Sequence, residues 1–134
     1  MKNKIKELWN RKKKVVWVHL TAYGILVVEY LLCRFAFFDL HGMKEWPLDL
    51  LIFGSAVMLI SLIAQKKQFP FFLSVGYIVG FICGMLFQTQ GVDLGGGKTN
   101  NDWIIWTGVY LGFILVGIVW ETAVKWWNLL KKKS

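Results

Sequence analysis

The stretch Phe71-Phe-Leu-Ser-Val-Gly-Tyr-Ile-Val-Gly-Phe-Ile-Cys-Gly-Met-Leu-Phe-Gln88 decides the fold class. It contains no Lys, Arg, Asp or Glu. A helix needs about 20 mostly apolar residues, and no fewer than about 17, to cross a bilayer. A spanning segment must satisfy its backbone polar groups internally, which an α-helix does. A barrel strand would alternate apolar and polar residues, and this stretch does not. Lys66, Lys67 and Pro70 stand just before it. Proline suits a first helical position, where a missing N–H costs nothing.

Three more stretches read the same way: about Val15–Phe38, Leu48–Ala64 and Trp103–Val124. The chain is therefore expected to be all-α, a polytopic membrane protein folded as a single four-transmembrane-helix bundle. Pro47 stands just before the second stretch, and Asp49 falls in its first turn, where negative charge is favoured. Apolar residues make up 56% of the 134, more than the roughly 45–50% usual for soluble domains. The first stretch has a basic start, but it is too long for a cleaved signal peptide and no small-x-small site follows it.

The cations give orientation. Of the 16 Lys and Arg residues, thirteen lie in the N-terminal segment, the 65–70 connection and the C-terminal segment. The 39–47 and 89–102 loops hold one each, Lys44 and Lys98. The positive-inside rule then places both ends in the cytoplasm (N-in, C-in). The eight tryptophans fall into two belts, Trp46, Trp103 and Trp106 outside and the other five inside. A net charge of +8 would fit nucleic acid in a soluble domain. Here the cations flank apolar segments, as membrane anchors do, so no nucleic-acid partner is expected. Cys33 and Cys83 form no CxxC pair and no metal-ligand spacing, so neither a metal nor another cofactor is expected.

In the first span, Val15, His19, Ala22, Leu26, Glu29, Cys33 and Ala36 recur at alternating intervals of four and three, the spacing of a helix-packing seam. Glu29 lies roughly 21 Å along that helix at 1.5 Å per residue, inside the hydrocarbon. A carboxylate near the bilayer centre costs roughly 2.5–3.5 kcal/mol on insertion scales. A partner, a cavity or a bound proton must offset that. Glu29 is thus a candidate proton- or cation-binding group, or else a structural glue residue bonded to Thr107 or Tyr110. Arg34, five residues on, is about 140° around the helix and is expected to snorkel outward. Glu121, near the cytoplasmic end of the fourth span, is expected at the depth of His19. The two could open a proton path toward Glu29, or Glu121 could pair with Lys125 four residues on.

Gly76, Gly80 and Gly84 make a GxxxGxxxG strip in the third span, and the fourth adds Gly108 and Gly112. Such strips let helices approach closely, within one bundle or between proteins. The outer loop holds Asp93, Gly95, Gly96, Gly97, Lys98, Asn100, Asn101 and Asp102. Gly97-Lys98-Thr99 is not a phosphate loop, because Val92 stands where that motif needs glycine. The glycines could form an anion nest and the acidic and amide residues could ligate a hard cation. The simpler reading is a connector that ends in an N-cap at Asn101 or Asp102. The N-terminal Met1–Lys14 carries Ile5, Leu8 and Trp9 among lysines, a basic amphipathic helix suited to the inner leaflet. It and the tail 125–134 are expected to meet anionic lipids.

The chain resembles the small multidrug transporters in size and in its first-span glutamate, a likeness of architecture alone. That family's motif is not found around Leu26-Val27-Val28-Glu29-Tyr30. The leading expectation is a non-enzymatic accessory or interaction component of a bacterial cytoplasmic membrane. It would self-associate or join a larger membrane protein. The alternative is a small proton-coupled or cation-handling transporter or channel using Glu29. An enzyme ranks last, because no nucleophile–base pair and no metal cluster is evident.

Overall fold

The computed structural model of the chain describes residues 1–92, 94–96 and 98–134, with backbone alone at Gln90, Lys98 and Thr99. Asp93 and Gly97, two of the loop candidates, lie outside the described residues. The elements run α1 (Lys2–Leu31), a π turn (Leu32–Ala36), α2 (Phe38–His41), α3 (Trp46–Ile63), α4 (Phe69–Phe87), β1 (Gln90–Val92), β2 (Lys98–Asn100) and α5 (Asp102–Lys133). Four helices are long and apolar enough to cross a membrane: α1 with the π turn, α3, α4 and α5.

Two of these helices outrun their apolar stretches. α1 begins at Lys2 and α5 continues to Lys133. Lys, Leu, Arg and Glu are good helix formers, and neither basic end contains Gly or Pro to stop the helix. The basic N-terminal segment is therefore continuous with the helix of the first apolar stretch. Pro47 and Pro70 both sit in the first positions of their helices.

α4 is the central element. Half of its apolar window is buried, against 22–28% for the other three spans. Its Leu73, Tyr77 and Phe81 join Ala22, Leu26 and Cys33 of the first span, Leu50 and Met58 of α3, and Trp106, Tyr110 and Ile114 of α5. The rings meet edge to face: Tyr77 with Trp106 at 5.2 Å, Phe81 with Trp106 at 5.2 Å and Tyr77 with Tyr110 at 5.8 Å. Each such pair adds about 0.5–1.5 kcal/mol beyond area burial. α4 and α5 come closest because of glycine. A Cβ at Gly80 would stand 2.8 Å from the Trp106 carbonyl oxygen, and one at Gly84 would stand 3.0 Å from that of Asp102.

The first-span seam holds from Val15 through Cys33 and then turns away. Val15, His19, Ala22, Leu26 and Cys33 are buried, Glu29 is half-buried, and Ala36 is exposed. The π turn explains the change. Its i→i+5 bond, Phe37 N–H to Leu32 carbonyl at 2.9 Å, takes an extra residue into the turn and breaks the four-three rhythm.

α3 ends in a Schellman turn. Lys66 N–H donates to the Ser61 carbonyl at 3.1 Å and Gln65 N–H to that of Leu62 at 3.0 Å. Gln65 takes the left-handed position, φ 55°, where glycine is usual. The glycine-rich loop is a short antiparallel hairpin, Gln90 opposite Asn100 and Val92 opposite Lys98. That is a local exception to the all-helical expectation. Gly96, at φ 82°, sits in its exposed turn.

Candidate functional site

α1 carries Glu29 into the protein with its Oε2 enclosed and without a hydrogen-bond partner. On α5, Tyr110 is fully buried, and its hydroxyl is also unpartnered and is directed at Gly54 of α3. A Cβ at Gly54 would collide with that hydroxyl, so only glycine leaves room there. Glu29 lies one helical turn before the buried Cys33. Tyr77 donates its own hydroxyl to the Pro47 carbonyl at 2.9 Å. The result is a carboxylate oxygen and a phenol, both unsatisfied, beside a thiol inside an aromatic shell. Leaving such a group unsatisfied costs about 1–3 kcal/mol. Chemically an enclosed carboxylate oxygen suits a proton, a small cation or a hydrogen-bond donor.

Neither partner expected for Glu29 is hydrogen-bonded to its enclosed oxygen. Thr107 donates to the Trp103 carbonyl at 2.7 Å and accepts the Trp46 indole N–H at 3.2 Å. Tyr110 makes no hydrogen bond to Glu29. Arg34 does not snorkel freely: it is half-buried, and its Nη1 is enclosed without a partner.

His19 clasps α1 to α3. Its Nδ1 lies 2.8 Å from the Val15 carbonyl, which only accepts, so Nδ1 carries the proton. In the neutral ring Nε2 then accepts from the Ser61 hydroxyl at 3.0 Å. Glu121 is engaged elsewhere. Its Oε1 accepts the backbone N–H groups of Gln68 at 2.6 Å and Phe69 at 3.0 Å. The start of α4 has no capping side chain of its own, so Glu121 of α5 supplies the missing acceptor. His19 and Glu121 are thus bonded to different groups. The cap is partly legible in the sequence, since Gln68-Phe69-Pro70 offers no Ser, Thr, Asp or Asn at the helix start.

His41 was not singled out by the sequence, yet it is one of the buried polar residues. Its Nε2 donates to the Cys33 carbonyl at 2.7 Å and its Nδ1 accepts from Met43 N–H at 2.9 Å. It thereby ties the π turn to the start of the 42–45 connection, with its ring packed edgewise on Phe81 and Trp106. Its one sequence signal is position: it precedes Gly42, whose φ of 67° ends α2.

In the outer loop the described side-chain hydrogen bonds run within the loop and to the ends of its flanking helices. The Asn101 side chain accepts from Thr89 N–H at 2.6 Å, and so it does not cap α5. Asn100 donates to the Gln88 side chain at 3.0 Å and accepts from Asp102 N–H at 3.1 Å. Asp102 is buried, with Oδ1 taking Trp103 N–H at 2.8 Å and Oδ2 unpartnered. Gly95 and Gly96 are exposed. Among the described residues no three His, Cys, Asp or Glu side chains converge as metal ligands.

The glycine strips differ. Gly76, Gly80 and Gly84 are filled by α5, whereas a Cβ at Gly108 or Gly112 would meet nothing within 4 Å. No family model, no curated protein and no solved structure matches the chain.

Proposed function

We propose that the chain is a non-enzymatic component of a bacterial cytoplasmic membrane. It spans the bilayer four times with both ends inside, and it works by associating with another membrane helix, first of all that of a second copy. The open Gly108/Gly112 strip carries this reading. A small-xxx-small strip lets two backbones approach closely in lipid, where no hydrophobic effect drives helices together. α4 fills its own glycine strip with α5, and α5 leaves its own uncovered. The charge asymmetry of the loops supports the orientation. The polar contacts of His19, Ser74, Tyr77, Trp106 and Glu121 all tie helices of the same chain together, as a closed packing module requires.

The test is subunit counting of the full chain in liposomes by single-molecule photobleaching, at several protein-to-lipid ratios. Wild type is expected to be dimeric, and the Gly108→Ile/Gly112→Ile double variant monomeric with unchanged melting. A monomeric wild type that also captures no membrane partner sinks the reading.

A second reading rests on Glu29 and the Tyr110 hydroxyl: a proton- or cation-handling transporter with Glu29 as the binding carboxylate. Its test is infrared difference spectroscopy of the reconstituted protein across pH and sodium concentration. A carboxyl band that responds to either and vanishes in Glu29→Gln supports transport. A silent carboxyl region in wild type rules it out.

A further inference from the structure

At the basic end of the bundle, α1 and the α3–α4 turn flank an open cavity of about 580 Å³, lined by Asn10, Lys13, Lys14, Trp17, Val18 and Lys67. The five α1 residues recur at i, i+3, i+4, i+7 and i+8, so one helical face supplies them. Lys67 comes from a different element. The Schellman turn at Gln65 and the Glu121 cap on Gln68 flank it and fix its backbone opposite that face. Three lysines thus converge on one space, and no acidic residue lines it. None of the three has a hydrogen-bond or ion-pair partner among the described residues. Glu121, on the neighbouring helix, is occupied by backbone N–H groups.

Like charges gathered without a counter-charge repel, and an anion removes that penalty. Lysine is a compact point charge suited to phosphate oxygens. The cavity also lies at headgroup depth, because the apolar part of α1 begins at Val15, directly after Lys14. Trp17 and Val18 form its apolar wall on the bilayer side, an arrangement that fits a phosphate attached to acyl chains. Diffuse attraction to a charged surface would not need Lys67 across from Lys13 and Lys14. Lys131, Lys132 and Lys133 are exposed as well, but they follow one another along the end of α5, and among the described residues no second element faces them across a cavity.

We propose that this cavity binds one phosphate group, carried by an anionic phospholipid headgroup or free in solution. The proposal rests on the membrane reading but not on self-association, so a failed dimer assay leaves it standing. The experiment is native mass spectrometry of the purified full chain with phosphatidylglycerol, with phosphatidylcholine as neutral control, and inorganic phosphate as competitor. Two variants lose the same charge: Lys13→Gln/Lys14→Gln/Lys67→Gln, and Lys131→Gln/Lys132→Gln/Lys133→Gln. Wild type should hold one phosphatidylglycerol saturably. The first variant should bind it roughly tenfold or more weakly, and the second within about twofold of wild type. Binding unaffected by phosphate identifies the lipid headgroup as ligand, and competition by phosphate identifies the free anion; both support the site. Equal weakening in the two variants, or no saturable binding of either probe to wild type, overturns it.

Discussion

α4 and α5 each carry a row of small residues, and the two rows have opposite fates. On α4, Gly76, Gly80 and Gly84 lie under Phe113, Trp106 and Asp102, so close that any side chain would collide. On α5, Gly108 and Gly112 face open space. The same motif is therefore a completed joint in one helix and a free face in the next. Motif spacing alone cannot tell these apart. What separates them is the residue opposite: α5 offers Trp106, Tyr110 and Phe113 toward α4, whereas among the described residues nothing covers Gly108 or Gly112.

The largest test of this contrast is Gly80→Leu. It drives a side chain into the Trp106 ring and backbone, and is expected to cost about 3 kcal/mol or to abolish folding, read as a lowered melting temperature in detergent. An unchanged melting temperature would mean that the α4–α5 joint is looser than described. Glu121→Ala comes next, because it strips the α4 start of its acceptor and loosens the same pair of helices at the other end. A loss of about 1–2 kcal/mol is expected by reversible denaturation. Glu121→Gln, which keeps an acceptor oxygen, should recover part of it. Gln65→Gly lies outside both faces and calibrates the scale. Relieving the left-handed strain is expected to stabilise by about 0.5–1 kcal/mol, less if the unfolded chain gains freedom. Smallest in stability is Gly108→Ile/Gly112→Ile, expected to shift the same melting curve by under about 0.5 kcal/mol. A large loss there would show that the α5 strip is already occupied within the chain.

Much of this architecture is written in the chain at low resolution. Four apolar stretches and two prolines locate the four helices that are long and apolar enough to cross a membrane. The seam through Val15, His19, Ala22, Leu26 and Cys33 is legible as far as the helix stays regular. Ala36 falls off it because one π turn resets the phase, and no residue type announces a π turn. The partners of the polar residues are less legible still. His19 meets Ser61, 42 residues away, and Glu121 meets Gln68, 53 residues away. Such pairings depend on which helix neighbours which, and hydropathy does not encode that. The hairpin at 90–100 was hidden for another reason. Its strands are three residues each, too short for an alternating pattern.

The unbroken course of α1 has a mechanical consequence. Residues 2–14 extend the spanning helix by about 20 Å at 1.5 Å per residue, with no joint between them and the bundle. That extension is a lever arm, and Lys13 and Lys14 sit at its fulcrum. Whatever grips the arm near Trp9 also steers the tilt of the helix that holds Glu29, five turns deeper. A fluorophore fixed near Lys2 would consequently act as a pointer, reporting a tilt of α1 as a displacement of the arm's free end.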